Sequence, residues 1–265
     1  MKKFLCLFGA FALTITSCSS NDDDSGKAET AILPKTIKFS EPDYPLENTT
    51  STITYDGNKV VSVIDEGSRT NFTYEGNVIA KMIGYDVTNG DKTEEESYSY
   101  TNGKLTSTLY ARNFTSKYPF GQYKGRYVYT YNADGTVKKE TYSINATTGE
   151  ESKVDYLEVY TFQNGNLVKL VATDQPSGLS SVRTSIYEYD TKNSPFKNVL
   201  GYNLLIDADN SSVNNLIKHT YTYSKDNSSY SRKTMYEYNA DGYPTKQMLY
   251  GEDGVIVSEI HEYTY

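Results

Sequence analysis

The chain is built around one repeated motif, which reads Tyr129-Thr130-Tyr131-Asn132-Ala133-Asp134-Gly135-Thr136-Val137. Alternate side chains of a β-strand point to the same side, so Tyr129 and Tyr131 share one face and Thr130 takes the other. The Asp-Gly pair that follows permits the positive φ angles of a tight hairpin. The motif therefore predicts a strand, a turn and a second strand.

Copies of this motif recur along the chain. Nine aromatic-x-aromatic or similar pairs end at residues 55, 74, 100, 131, 162, 189, 223, 238 and 265. Most are followed within a few residues by a glycine turn, at 56–57, 75–76, 102–103, 134–135, 164–165 and 241–242. At two strands per unit, the chain should contain roughly 16 to 18 strands, a number at which sheets curl or close. The expected fold class is all-β, an antiparallel meander that forms a large barrel or a strongly curved single-layer sheet.

Tyrosine accounts for 27 of the 265 residues, and tryptophan is absent. A tyrosine ring packs against neighbours while its hydroxyl still reaches a partner or water. We therefore expect one aromatic face, covered but close to water, in a Tyr-rich β-repeat domain that spans residues 50–265.

The first residues are typical of an export signal. Lys2 and Lys3 precede an apolar run over residues 4–15, which is too short to remain as a membrane-spanning helix. The following Thr16-Ser17-Cys18 resembles the lipobox at which lipoprotein signal peptidase cuts. We predict a signal peptide over residues 1–17 and acyl chains, palmitate among them, on Cys18. The alternative is an ordinary secretory signal with a chance cysteine.

Residues 18–49 are predicted to be a flexible acidic linker. The segment just after Cys18 reads Ser19-Ser20-Asn21-Asp22-Asp23-Asp24-Ser25, without an apolar residue to bury. It is similar to the export tag that sends certain lipoproteins to the outer face of the outer membrane. We expect a lipid-anchored outer-membrane protein exposed at the cell surface. A merely solvated linker, with the domain on the periplasmic face, stays open.

Charge narrows the range of partners. Removing residues 1–17 takes away two lysines and leaves 24 basic against 34 acidic side chains. Phosphate binding needs concentrated positive charge, so we expect no nucleic-acid partner. The expected partners are the membrane, through the lipid, and a glycan or another envelope component.

Catalytic motifs are missing from the sequence. It contains no glycine-rich phosphate loop, nucleophile elbow or zinc spacing, so we predict no enzyme, no cofactor and no metal site. The two histidines, His219 and His261, could act together only if the fold joins them.

One segment is a candidate binding loop. From Ser97 to Ala133 there is no acidic residue, and basic and aromatic side chains alternate in the later part. Such a loop could hold an anionic or sugar-like polymer by charge and ring stacking. The alternative is an ordinary long hairpin loop whose rings cover a sheet edge. The candidate residues are Arg112, Phe114, Lys117, Tyr118, Phe120, Tyr123, Lys124 and Arg126.

Two resemblances accompany these motifs. The hairpins at residues 129–137 and 236–242 resemble YD repeats of the RHS type. The lipobox, the Tyr-x-Tyr hairpins and the segment Tyr187-Glu188-Tyr189-Asp190-Thr191-Lys192-Asn193-Ser194-Pro195-Phe196 resemble a family of surface lipoproteins with a porin-like domain of unknown function. In that family the Asn, Pro and Phe are contiguous, whereas Ser194 intervenes here. The resemblance implies a barrel over roughly residues 50–265 and no particular activity.

The resulting hypothesis is a non-enzymatic envelope lipoprotein that acts as a surface-displayed binding or scaffold module. The alternative is a periplasm-facing barrel that carries a lipid or other hydrophobic ligand inside. Both faces of the final strand carry charge, which is unlike a strand that faces lipid. We therefore expect the domain to be soluble.

Overall fold

The computed structural model describes residues 31–174, 180–206 and 211–265, which belong to one compact unit that begins at Ala31. These residues contain two short 3₁₀ turns, Pro45–Glu47 and Tyr202–Leu204, and sixteen strands. The strands are β1 (Thr36–Ser40), β2 (Thr49–Asp56), β3 (Lys59–Ile64), β4 (Ser68–Glu75), β5 (Val78–Asp86), β6 (Lys92–Thr101), β7 (Lys104–Arg112), β8 (Tyr123–Tyr131), β9 (Val137–Ile144), β10 (Glu151–Gln163), β11 (Asn166–Asp174), β12 (Ser181–Tyr189), β13 (Leu216–Tyr223), β14 (Ser229–Tyr238), β15 (Pro244–Tyr250) and β16 (Val257–Thr264).

The strands form a closed barrel. Each strand is antiparallel to the next, and β1 pairs with β16, so that Ile37 lies opposite Tyr263. The predicted antiparallel meander is confirmed, and of the two predicted shapes the barrel is the correct one. Within the described residues, no helix is long and apolar enough to cross a membrane.

The barrel has two different ends. Consecutive connections of a meander alternate between the ends, so all the glycine turns of the repeated motif meet at one of them, which we call the turn end. Residues 31–35 also lie there, because the Lys35 amide donates to the carbonyl of Thr264. The opposite end, which we call the open end, carries the loops at 41–48, 65–67, 87–91, 113–122, 145–150, 224–228 and 251–256.

The paired aromatic rings point into the barrel, as the alternation predicts. Tyr129 lies opposite Lys139 and Tyr131 lies opposite Val137. The buried cluster around Tyr129 and Val137 contains further residues from β7, β10 and β11, namely Leu105, Tyr160 and Leu170. The aromatic face of the repeat is therefore the lumen face.

The tyrosine hydroxyls tie neighbouring hairpins together at the turn end. The hydroxyl of Tyr100 donates to the carbonyl of Ile79 at 2.9 Å. The same bond, at an almost constant separation in sequence, joins Tyr189 to Leu167 at 2.8 Å, Tyr236 to Leu216 at 2.9 Å and Tyr265 to Pro244 at 2.9 Å. Phenylalanine could not make this bond, so tyrosine at these positions adds a hydrogen bond to the packing of its ring.

The predicted start of the β-domain at residue 50 is too late. Strand β1, Thr36–Ser40, lies inside the predicted linker and pairs with both β2 and β16. Its inward residues, Ile37 and Phe39, alternate with polar ones but lack the Tyr-x-Tyr pair and the glycine turn. The repeat therefore could not reveal the strand that closes the barrel.

The outer wall of the barrel carries polar, charged and some apolar side chains. Cross-strand ion pairs decorate it, including Lys218 with Glu188 at 2.9 Å and Lys153 with Glu140 at 2.7 Å. The residues between the paired rings, such as Thr130, face the same way. The paired rings therefore face the lumen, and cross-strand ion pairs lie on the outer face.

Candidate functional site

The lumen contains a cavity of about 860 Å³. Its wall is formed mainly by β1, β9–β16 and the long connection after β12. Rings and aliphatic groups alternate there with polar and charged groups, the latter comprising Lys139, Glu158, His219, Arg232, Glu259 and His261. A volume in this range is typical of small-molecule sites. The cavity is the candidate functional site.

The turn end of the lumen is closed by the connection between β12 and β13, which we call the plug (residues 190–215, described except for 207–210). Val199 and Leu205 are buried against Ile53, Val60 and Ile79 of the opposite wall. The plug thus inserts apolar side chains into the barrel.

Backbone hydrogen bonds hold the plug across the turns of three hairpins. The Leu200 amide donates to the carbonyl of Asn58, that of Asn193 to Gly242, and that of Val213 to Gly165. These bonds span the width of the turn end. The plug is therefore held in place by hydrogen bonds and forms the floor of the cavity.

Asp190 fixes the point at which the plug leaves the wall. Its carboxylate accepts hydrogen bonds from the Lys192 and Asn215 amides and from the Tyr238 hydroxyl. Burial and this carboxylate raise the pKa of Tyr238 above its usual range. Both ends of the plug are thus tied to β14.

A buried ion pair lies in the wall of the cavity. Lys139 Nζ is 2.9 Å from Glu158 Oε2, and the two side chains are only 10% and 12% exposed. The ammonium also lies 4.1 Å from the centre of the Tyr127 ring, and the carboxylate accepts a bond from the Tyr160 hydroxyl at 3.2 Å. The lumen therefore accommodates charge alongside its rings.

Both histidines face the cavity. His219 stacks on Tyr187, with ring centres 4.6 Å apart, and its Nε2 is buried without a hydrogen-bond partner among the described residues. Burial, and then nearby arginines, lower the pKa of His219. Burial also lowers the pKa of His261, with Glu259 opposing this. Within the described part of the chain, no group of three or more metal-ligating side chains is assembled.

The candidate binding-loop residues fall on both faces of the barrel wall and in the loop between β7 and β8. Arg112 and Tyr123 face each other on the lumen side, whereas Lys124 and Arg126 alternate onto the outer wall. Phe120 and Tyr123 are 77% and 60% exposed at the open end. The remaining members lie in the loop, where Phe114 is covered by the Lys92 ammonium and Lys117 lies over Tyr118.

Neighbouring strands supply the acidic partners that this stretch lacks in sequence. Arg126 donates twice to Glu151, at 3.0 and 2.6 Å. Arg112 lies 3.7 Å from Glu94 and 3.5 Å from Glu96. The role of the loop in binding stays a prediction, and its positive charge is partly neutralised by cross-strand glutamates.

Several predictions fall outside the described residues. These are the signal peptide at residues 1–17, lipidation at Cys18 and the part of the linker before Ala31.

The closed antiparallel barrel of sixteen strands fits a porin-like fold. A chain of solved structure with this fold is a porin-like protein from Bacteroides vulgatus ATCC 8482, whose crystal structure at 2.80 Å resolution matches with a TM-score of 0.61 and 14% sequence identity. The match covers 89% of this chain and 99% of that chain. No protein-family model and no curated protein matches this chain. The similarity establishes the fold alone.

Sequence reasoning missed most of the cavity wall. The repeat predicted nothing for the plug, although its apolar residues Val199, Leu205 and Ile206 could have indicated burial. Lys139 and Arg232 were not singled out, because a strand residue shows its direction only once the register is known.

Proposed function

We propose that this protein is a non-enzymatic envelope lipoprotein whose barrel binds a small ligand in the lumen, with entry through the open end. The observation that supports this is the cavity of about 860 Å³ with a built floor. A barrel that served only as a scaffold would gain from a fully packed interior, because unfilled volume costs stability.

The composition of the wall favours a polar ligand over an acyl chain. Lys139, Glu158, Arg232 and Glu259 line the cavity among the tyrosines. Charged groups that face an acyl chain would lose water, and the acyl chain offers them no hydrogen bond in return. We therefore favour a polar ligand over the hydrophobic ligand of the carrier alternative.

The proposed location follows from the signal sequence and the outer wall. Ion pairs such as Lys218–Glu188 on that wall suit water rather than lipid, which requires an apolar outward band. The protein would then reach the outer membrane only through the acylated Cys18. Residues 31–35 lie at the turn end, and the mouth of the cavity is at the opposite end of the barrel.

A second candidate function is recognition by the exposed rings of the open-end loop. Phe120, at 77% exposure, favours it, because a large exposed ring is often part of a contact surface. A cell-surface glycan or another envelope component remains the expected partner for this loop.

The test uses the absence of tryptophan in the native chain. Leu249→Trp introduces one reporter into the cavity wall, and Met248→Trp introduces a matched reporter on the outer wall one residue away. Each full-length variant is titrated with a fluorescent fatty acid, a neutral maltooligosaccharide and an oligogalacturonate.

Under the proposal, at least one probe changes the emission of the lumen reporter and leaves the outer reporter unchanged. A preference for the fatty acid would support the carrier alternative. If no probe affects the lumen reporter, or if both reporters respond alike, lumen binding is wrong.

A further inference from the structure

Three adjacent strands, β12, β13 and β14, present a regular grid of side chains to the lumen. The register aligns Tyr187 with His219 and Arg232, Ser185 with Tyr221 and Tyr230, and Arg183 with Tyr223. Tyr187, His219 and Arg232 line the cavity, and the others share their face because side chains alternate. Two arginines therefore occupy opposite corners of an aromatic wall.

The rings of this wall stack on one another. Tyr187 and His219 are nearly parallel, with an interplanar angle of 12°, and Tyr221 and Tyr230 have centres 5.3 Å apart. Stacked rings cover each other's faces, so they offer mainly edges and hydroxyls to a ligand. Ring edges carry the positive part of the aromatic quadrupole. The wall therefore favours negative charge and hydrogen-bond acceptors.

The two arginines lack acidic partners. Neither Arg183 nor Arg232 has a carboxylate oxygen within 4.0 Å among the described residues. Glu252 is close to the wall, but it accepts the hydrogen bond of the Tyr221 hydroxyl at 2.8 Å. Two other lumen cations, Arg112 and Lys139, are paired with glutamates. The positive charge of this wall is thus available to a ligand.

The spacing of the arginines suits a small ligand. They are two strands and four residues apart, which places their Cα atoms about 16 Å from each other, at about 4.8 Å per strand and about 3.3 Å per residue. Tyr221 lies midway between them in the register, and Ser185, next to Arg183 on the same face of β12, is a small side chain. Long arginine side chains reaching inward would enclose a molecule of one or two sugar rings.

We propose that this wall binds an oxygen-rich organic anion of the acidic-sugar class, whose carboxylate or sulfate groups are held by Arg183 and Arg232. Tyr223 is the cross-strand partner of Arg183, and Tyr230 lies two residues from Arg232 on the same face, so their hydroxyls would contact the neutral oxygens of the ligand. A guanidinium offers donors in a planar fork that matches both anionic groups. This inference rests on the proposed function, because it names the ligand class of the same cavity.

Calorimetric titration of the full-length protein tests it. The probes are a digalacturonate, a sulfated disaccharide and a neutral disaccharide of the same size. The acidic probes should bind at least about tenfold more tightly than the neutral one, since a charge-assisted hydrogen bond contributes about 1.5 kcal/mol or more. Their affinity should fall with added salt. The comparison of carboxylate with sulfate identifies the preferred anionic group.

Three variants test which positive charges contribute to the affinity for the acidic probes. Arg232→Gln and Arg183→Gln should each weaken binding of the acidic probes about tenfold and leave the neutral probe unchanged. Lys233→Gln is the matched control, because it removes the same charge from the adjacent residue, which faces outward. Circular dichroism verifies that each variant is folded, and Arg183→Gln provides an independent test if Arg232→Gln is not.

Two outcomes would overturn the inference. Equal affinity for neutral and acidic probes would exclude a preference for anions, and an equal loss in Lys233→Gln would make the effect one of net charge. If the tryptophan of Leu249→Trp still responds to a probe, either result leaves the proposed binding in the lumen standing. If that reporter responds to none of them, the proposed function fails as well.

Discussion

Replacing Gly201 by alanine tests how closely the plug is seated against the wall of the barrel. Gly201 has a φ of +74°, and a Cβ built there would lie 2.9 Å from the carbonyl oxygen of Asn77 and 3.2 Å from the amide of Ile79. Gly76, in the hairpin turn that the plug contacts, also has a positive φ, +59°, but a Cβ there would meet nothing within 4 Å. The two substitutions share backbone strain and differ in the clash.

The magnitudes follow from these geometries. A left-handed backbone costs an L-residue about 1–2 kcal/mol, and forcing an extra methyl against packed atoms adds about 1–3 kcal/mol. Gly76→Ala should therefore lose about 1–2 kcal/mol and Gly201→Ala about 2–5 kcal/mol. For a domain of this size, each kcal/mol lowers Tm by about 2–4 °C.

Denaturant unfolding followed by circular dichroism measures the two losses, and hydrogen exchange shows where they act. In Gly201→Ala, the amides of Leu200 and Val213 should exchange faster than in the native protein, because their acceptors lie on the hairpin turns. Equal destabilisation by the two substitutions, with unchanged exchange in the plug, would refute close seating of the plug.

Three further predictions concern the lumen. Tyr100→Phe leaves a turn-end carbonyl without its donor and should cost about 1–2 kcal/mol in denaturant unfolding, whereas Tyr44→Phe, at 66% exposure, should cost almost nothing. Lys139→Met leaves the Glu158 carboxylate buried among rings without its cation, and it should lower the free energy of unfolding by roughly 3 kcal/mol. Adding Glu158→Gln should recover much of this loss, and no recovery would contradict a paired charge. The lowered pKa of His219 means that the unfolded chain takes up a proton first as the pH falls. The contribution of neutral His219 to stability is therefore complete above about pH 6.5 and declines as the pH falls through the folded pKa. His219→Phe should flatten that decline when Tm is measured as a function of pH.

The sequence predicted the sheet well because the repeat carries three independent signals. Ring alternation sets the face, the glycine turn sets the hairpin, and the number of copies sets the number of strands. Tyr129 and Tyr131 both face the lumen, as their spacing requires. The signals failed at β1, where Ile37 and Phe39 stand without a turn motif and are recognised as a strand only by their partners in β2 and β16. They also failed at the pair that ends at Tyr223, which lies on β13 and runs toward the open end, so it starts no hairpin of the turn end.

The cavity was harder to predict, because the charged residues that are close in the sequence are not the ones that are close in the fold. The stretch around Arg126 contains no acid, yet Glu151 lies across the sheet and forms two hydrogen bonds with it. The opposite holds for Arg232, which sits in an acidic chain but faces a wall of rings. Only the register decides which neighbours a strand residue has, and register is not written in local composition.

The seam between β1 and β16 has a consequence for how the chain is made. Thr36 hydrogen-bonds to Thr264, a partner 228 positions later, so the ring is completed only when residues 257–264 are available. Any nascent or truncated chain that stops earlier keeps two bare sheet edges, and such edges pair readily with other chains. Closure of the barrel should therefore wait until residues 257–264 are available, and a nonsense mutation anywhere before β16 should yield aggregation rather than a smaller closed barrel.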